Sequence, residues 1–220
     1  MKTAKYPGIR KTVIACVFFV VLVLAALVYN TTRTPILSDE ALRELGTFVL
    51  PRPREVAGFS LVDHRNEQFG LEQLRGVWSF VYFGFTSCPD ICPVTLSVLS
   101  QVERRLAEAG QPELYDNFQV VLVSVDPERD DVPTLKQYVG NFSERFIGVT
   151  GDNREIGKLA QQLNVAYGKV PDLNSAVGYQ VEHSGNIVLL NPRGHYHGFI
   201  KMPHSVDQIA DSYRTLSANF

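Results

Sequence analysis

Two stretches, Val77–Phe83 and Phe118–Val125, are nearly unbroken runs of aromatic, β-branched and aliphatic residues, and they constrain the fold more than any other feature of the chain. Runs of that composition suit strands buried on both faces. Between them Val94, Val98, Leu99, Val102 and Leu106 recur at helical spacing, which leaves Gln101, Glu103, Arg104 and Arg105 for solvent. Two buried strands joined by an amphipathic helix form a parallel pair with the helix packed on one sheet face.

The remaining pattern extends this unit. Pro133 opens a helix carrying Leu135, Tyr138, Val139 and Phe142 on one face. Phe146–Val149 reads as a short strand, and Ile156, Leu159, Ala160 and Leu163 mark another helix. A strand at Asn186–Leu190 turns at Asn191-Pro192-Arg193-Gly194 into Tyr196–Ile200, and Val206, Ile209, Ala210, Tyr213 and Leu216 define a closing helix. The order predicts an α/β, thioredoxin-like fold with a central mixed sheet flanked by helices. Upstream, Phe59–Val62 and Glu67–Phe69 read as a small hairpin. The run from Val165 to Glu182, rich in turn residues, reads as a long irregular loop, and loops of that length commonly carry function. At 220 residues and 45% hydrophobic the chain supports one core plus an appendage. A formal charge of -2 offers no basic surface, so nucleic acid is not an expected partner.

The appendage is the N-terminus. Val13–Tyr29 carries no charge and approaches the length of a membrane span. Lys2, Lys5, Arg10 and Lys11 precede it and only Arg33 follows closely, an asymmetry that keeps the N-terminus cytoplasmic and exports the rest. No A-x-A cleavage pattern ends the apolar run, which favours one uncleaved N-terminal transmembrane helix over a signal peptide. The expected organisation is a cytoplasmic N-terminus (1–12), a transmembrane anchor (13–29), a tether (30–54) stiffened by Pro51 and Pro53, and a globular domain (55–220). The expected location is a bacterial inner membrane, single-pass, with the C-terminal domain in the periplasm.

Of the three cysteines Cys16 lies in the span, so the exported domain holds only Cys88 and Cys92. One close pair in an oxidising space is redox-active or metal-binding rather than a disulfide framework. The pair sits in Cys88-Pro89-Asp90-Ile91-Cys92-Pro93, between the first strand and its helix. Each proline disfavours helical backbone at the preceding cysteine, which places Cys92 near the N-cap with Pro93 first in the helix, and Pro89-Asp90 at the centre of a turn. Helix N-terminal N–H groups favour anions, so both thiols are expected to ionise readily. Thiolates are also soft ligands, suited to Cu(I) and to zinc, and an added imidazole accommodates Cu(II). His183, just before the strand at 186, is the candidate third donor, though a lone histidine there serves equally as a turn or capping residue. Asp126, at the carboxyl end of the second parallel strand, is placed either to line the same cleft or to cap the turn at Pro127. His64, His195, His197 and His204 read as solvent-facing or structural, and Met202 has no sequence reason to join the site.

Three segments in order, Phe83-Gly84-Phe85-Thr86-Ser87-Cys88-Pro89-Asp90-Ile91-Cys92-Pro93, Ser124-Val125-Asp126-Pro127-Glu128-Arg129-Asp130 and Val181-Glu182-His183-Ser184, strongly resemble the Sco/SenC family of membrane-anchored, thioredoxin-fold copper proteins. The resemblance covers about residues 50 to 216 and implies copper ligation by Cys88, Cys92 and His183. Glu182 stands where family members often carry Asp. The implied function is copper delivery to the CuA centre of cytochrome c oxidase, with oxidase subunit II as the acceptor and another copper chaperone as a source. The alternative is a thiol-disulfide oxidoreductase, or redox-signalling protein, acting through Cys88 and Cys92 on the oxidase's copper-site cysteines. A peroxiredoxin would need Thr at 85 and Pro at 81, where Phe85 and Val81 stand. Because an oxidised pair cannot hold copper, a thioredoxin-like reductant is an expected partner.

Overall fold

The structure, a computed structural model, describes residues 7–32, 36–172 and 177–220. The chain divides into two units, the first ending at Ile36 and the second running Leu37–Phe220. In the first, Pro7–Thr32 forms one helix, α1, whose side chains from Lys11 to Leu27 are all exposed. Among the described residues no helix is long and apolar enough to cross a membrane, so α1 does not establish the span expected over 13–29. Lys2, Lys5 and Arg33, on which the expected orientation rests, lie outside the described residues.

The second unit begins with α2 (Asp39–Glu44), capped by the Ser38 hydroxyl, which accepts from the Ala41 amide. β1 (Thr47–Arg54), β2 (Leu61–Asp63) and β3 (Gln68–Phe69) follow, then β4 (Trp78–Gly84) and α3 (Ile91–Glu108). The short α4 (Pro112–Asp116) leads into β5 (Phe118–Ser124), α5 (Val132–Gly140), β6 (Ile147–Thr150) and α6 (Asn153–Gln162). β7 (Tyr167–Pro171), β8 (Tyr179–His183), β9 (Ile187–Leu190), β10 (Tyr196–Ile200) and α7 (Val206–Ala218) complete the fold. Eight strands form one mixed sheet in the order β1-β10-β9-β4-β5-β6-β2-β3. β4, β5 and β6 are parallel, whereas β9, β10 and β1 add antiparallel strands on one side and the β2–β3 hairpin on the other.

The central position of β4 explains its composition, since all seven of its residues are buried. Trp78, Phe80 and Tyr82 pack with Leu96, Leu99 and Val102 of α3 and Tyr213 of α7. Val81 and Phe83 join the opposite core with Ile156 and Leu159 of α6. Burial of such side chains stabilises by roughly 1.5–3 kcal/mol each, and both faces of β4 contribute. Parallel strands end together, so the carboxyl ends of β4 and β5 present their loops at one edge.

Two expectations are corrected. Residues 47–54 are not tether: they form β1, an edge strand paired with β10. Pro51 and Pro53 are compatible with an edge, where a missing N–H breaks no ladder, and they fall where the register shifts between Val49 and Arg54. Within the run from Val165 to Glu182, expected to be an irregular loop, the described residues include β7 and β8, which pair as a two-stranded antiparallel sheet outside the main one.

Candidate metal centre

The site starts where β4 runs out. Gly84 closes the strand, and a Cβ there would stand 2.8 Å from the Cys92 sulfur and 3.1 Å from the Tyr82 ring, so only glycine admits the thiol against the strand. The chain then turns at Phe85–Cys88, with the Cys88 amide donating to the Phe85 carbonyl at 3.2 Å. This turn, centred on Thr86 and Ser87, replaces the one expected at Pro89-Asp90. It is fastened from below by Asp130, a fully buried carboxylate. Asp130 accepts from the Thr86 amide at 3.0 Å, the Thr86 hydroxyl at 2.6 Å and the Ser124 hydroxyl at 2.7 Å, joining the cysteine turn to the end of β5.

Cys92 lies within the first turn of α3, where the expectation had it outside the helix. Asp90 is the N-cap, so Cys92 is the second helical residue and Pro93 the third. Proline is tolerated there because the first four amides of a helix have no partner within it. Cys92 is fully buried and Cys88 half-buried, both as free thiols. The expected easy ionisation of Cys92 is also corrected: burial pushes its pKa well above the ordinary thiol value, outweighing the helix N-terminus. Such a thiol loses its proton when a cation replaces it.

His183 arrives from the end of β8. Its Nε2 is 3.4 Å from the Cys92 sulfur, and its Nδ1 is 3.1 Å from the Ser184 carbonyl. An Nδ1–H donated to that carbonyl leaves the Nε2 lone pair facing the sulfurs. Tyr82 and Phe85 meet the imidazole edge-to-face at 5.8 and 5.7 Å, and burial lowers its pKa, favouring the neutral form that ligates metals. The ligand atoms of Cys88, Cys92 and His183 all lie within 4.8 Å of one another. An ion roughly 2.3 Å from each sulfur, the usual zinc–thiolate length, spans about 4.6 Å between opposed ligands, so one soft cation fits with small side-chain adjustment.

Asp126 stands outside this set. It is fully buried, pairs with Arg129, accepts from the Tyr179 hydroxyl at 2.9 Å and lies 3.6 Å from Lys169 Nζ. Lys169 also reaches Glu128 at 2.8 Å, while the Arg129 guanidinium packs on the rings of Tyr179 and Phe85 at 4.9 and 5.4 Å. Asp126 thus neither coordinates nor merely caps: it anchors the His183-bearing hairpin to the loop after β5. A cavity of about 660 Å3 opens between hairpin and cysteine turn, with Cys88, Arg129, Tyr179 and His183 in its walls.

Three of the other four histidines have structural side-chain contacts. His64 accepts from the Gly148 amide, His197 packs on Trp78, and His204 bridges Thr95 and the Ile200 carbonyl. Sequence reasoning passed over Gly84, Asp130, Arg129 and Tyr179. Two of these stand in the quoted segment at 124–130, beside the aspartate it selected.

The chain matches the SCO1/SenC family over residues 50–218. A putative copper-binding protein of Stutzerimonas stutzeri is 37% identical over 166 residues, covering 76% of this chain and 78% of that protein. The human mitochondrial SCO2 homolog is 41% identical over 163 residues, 74% of this chain and 59% of its own length. Among solved structures, copper-bound ScoI of Arabidopsis thaliana superimposes with a TM-score of 0.67 at 33% identity, covering 74% of this chain and 98% of that one.

Proposed function

The chain belongs to the SCO1/SenC family, and from that premise we propose that it binds copper through Cys88, Cys92 and His183 and delivers it to the CuA centre of cytochrome c oxidase. The observation that carries this reading is the convergence of two sulfurs and one imidazole nitrogen within 4.8 Å at the wall of an open cleft. Two thiolates favour Cu(I), and the added imidazole keeps Cu(II) acceptable. Copper is the cargo, and the chain's own residues set how it is held. His183 offers a neutral nitrogen oriented by Ser184, Cys92 supplies a sulfur that water does not reach, and Cys88 supplies the accessible one. An incoming cysteine from oxidase subunit II then displaces Cys88 first.

We also propose attachment to a bacterial inner membrane, with the second unit in the periplasm: the exposed, largely apolar described side chains of α1 support membrane attachment, and the excess of Lys and Arg before residue 13 supports the orientation. In that oxidising space the pair needs a thioredoxin-like reductant before loading, and a second copper chaperone is a suitable source. The thiol-disulfide reductase reading is weaker, since a dedicated reductase has no use for an oriented imidazole.

Titration of the full, reduced chain with copper tests the proposal. Wild type takes up about one equivalent, as a single three-donor site requires. Cys88→Ala and Cys92→Ala lose tight binding, and His183→Ala keeps weakened binding to two sulfurs. Wild-type stoichiometry and affinity in the Cys88→Ala, Cys92→Ala double variant would remove the site.

A further inference from the structure

Met202 follows β10, and the sheet carries it to the metal end of the molecule. Ile200 pairs with Ile187 of β9, and Ile187 pairs with Tyr82 of β4, two residues before Gly84. The segment after Ile200 therefore lies over the carboxyl end of β4, beside the head of α3. There the Met202 side chain covers Gly185, two residues beyond His183: a Cβ on Gly185 would stand 2.5 Å from the Met202 sulfur. On its other side Met202 closes a groove of about 410 Å3 with Ile91, Val94, Thr95 and Pro203. Asp90 and Ile91 line both this groove and the cleft that holds Cys88 and His183, so the two cavities share a wall.

The groove is soft and apolar. Val94 is 59% exposed and Met202 45%, so neither side chain is sealed in a core. His204, also lining it, is held near neutrality by burial and spends its nitrogens on Thr95 and the Ile200 carbonyl. Asp90 is the one charged side chain in the lining. A thioether in such a place attracts Cu(I) and has little affinity for hard, hydrated cations.

We propose that Met202 is an exchange ligand for Cu(I), taking the ion at the rim of the Cys88–Cys92–His183 centre as it passes to or from a partner's soft ligands in the groove. The proposal rests on the copper reading of that centre. In the step, the bond from copper to the half-buried Cys88 sulfur breaks with its electron pair left on sulfur, which takes a proton from water. A bond from the Met202 sulfur to copper forms, copper stays Cu(I) and no electron is transferred.

Met1 and Met202 are the only methionines, so selenium labelling isolates the residue. The full reduced chain carrying selenomethionine and Cys88→Ala, which fixes the state after the Cys88 bond has broken, should show a copper neighbour in its selenium-edge absorption spectrum when loaded with Cu(I). The same chain with Met202→Leu supplies the background from Met1. In unlabelled chain with Cys88 intact, Met202→Leu keeps the apolar bulk and loses the donor. It should leave copper stoichiometry unchanged and slow removal of Cu(I) by a small chelator severalfold. A selenium spectrum without copper, or removal at the wild-type rate in Met202→Leu, overturns the proposal while leaving copper binding at the three-ligand centre intact. Failure of the wild type to bind Cu(I) overturns both.

Discussion

Cys92 is wholly buried at the head of α3, against the middle strand of an eight-stranded sheet, whereas His183 ends a two-stranded hairpin outside that sheet. The cysteine turn is held by core packing and by a carboxylate with three hydrogen bonds. β7 and β8 are exposed along most of their length, with Val181 as their one buried residue, and their further hold comes from Lys169 and Tyr179, which meet the charges of the loop after β5. The metal centre therefore joins a sulfur seated in the core to a hairpin with few buried contacts, and elements with few buried contacts are the ones that open locally. Such an arrangement can keep the sulfurs fixed while the imidazole comes and goes, which suits a protein that must release its cargo.

The largest effects should come from breaking the rigid side. Asp130→Ala leaves the Thr86 amide, the Thr86 hydroxyl and the Ser124 hydroxyl without their shared acceptor in a buried place. A loss of about 3 kcal/mol in denaturant unfolding is expected, together with faster alkylation of Cys88. Asp130→Asn, which keeps an acceptor, should recover much of it. Gly84→Ala should cost about 2 kcal/mol by overpacking, since its Cβ meets the Cys92 sulfur, the Tyr82 ring and Leu122 within 3.3 Å. It should also weaken copper binding by pushing that sulfur out of place. Wild-type stability in both variants would show that the cysteine turn is not the rigid partner.

The contrast between the two parts also governs what the sequence discloses. β4, α3 and β5 are legible because each is buried in a pattern set by its own geometry: continuous for a central strand, every third or fourth residue for a helix. Two positions of α3 depart from it: Val94, expected on the buried face, is exposed, and Glu103, expected in solvent, is buried beside Arg145. β7 and β8 carry no such pattern, since they are largely exposed and contain Gly168 and Pro171, and their hold comes from residues distant in the chain, Asp126, Glu128 and Arg129. β1 was hidden by two prolines that an edge strand accepts. At the site, residue type and the family resemblance pointed to Cys88, Cys92 and His183, but burial is not readable from a helix start, so the ionisation of Cys92 was misjudged. Asp130 resembled one more solvated acid after a turn. Ser124 is six residues upstream, but Thr86 is joined to it only by the parallel pairing of β4 and β5.

On the hairpin side the expected effects on stability shrink while those on copper persist. Tyr179→Phe removes the hydroxyl donated to Asp126 at 2.9 Å and keeps the ring under Arg129. About 1 kcal/mol is at stake locally. The global unfolding midpoint should move little, hydrogen exchange along β7 and β8 should quicken, and copper should dissociate severalfold faster. A shift of the global midpoint as large as that of Gly84→Ala would mean that the hairpin unfolds with the sheet, and the distinction between the two parts would fail.

Lys169→Gln probes the outermost contact. Lys169 reaches the exposed Glu128 at 2.8 Å and the buried Asp126 at 3.6 Å, from a side chain 32% exposed. A pair with one partner in solvent contributes about 0.5 kcal/mol or less, and salt screens it, with a Debye length falling from about 30 Å at 0.01 M to about 3 Å at 1 M. Stability should therefore be unchanged within error, and the informative quantity is the salt dependence of copper dissociation. In the wild type, added salt should speed dissociation by loosening the hairpin. In Lys169→Gln the low-salt rate should already approach the high-salt one, flattening the curve. Equal slopes in the two proteins would move the hold on His183 from surface charge to the buried Val181 seat and the Asp126–Tyr179 bond, leaving the hairpin a local unit with a different clasp.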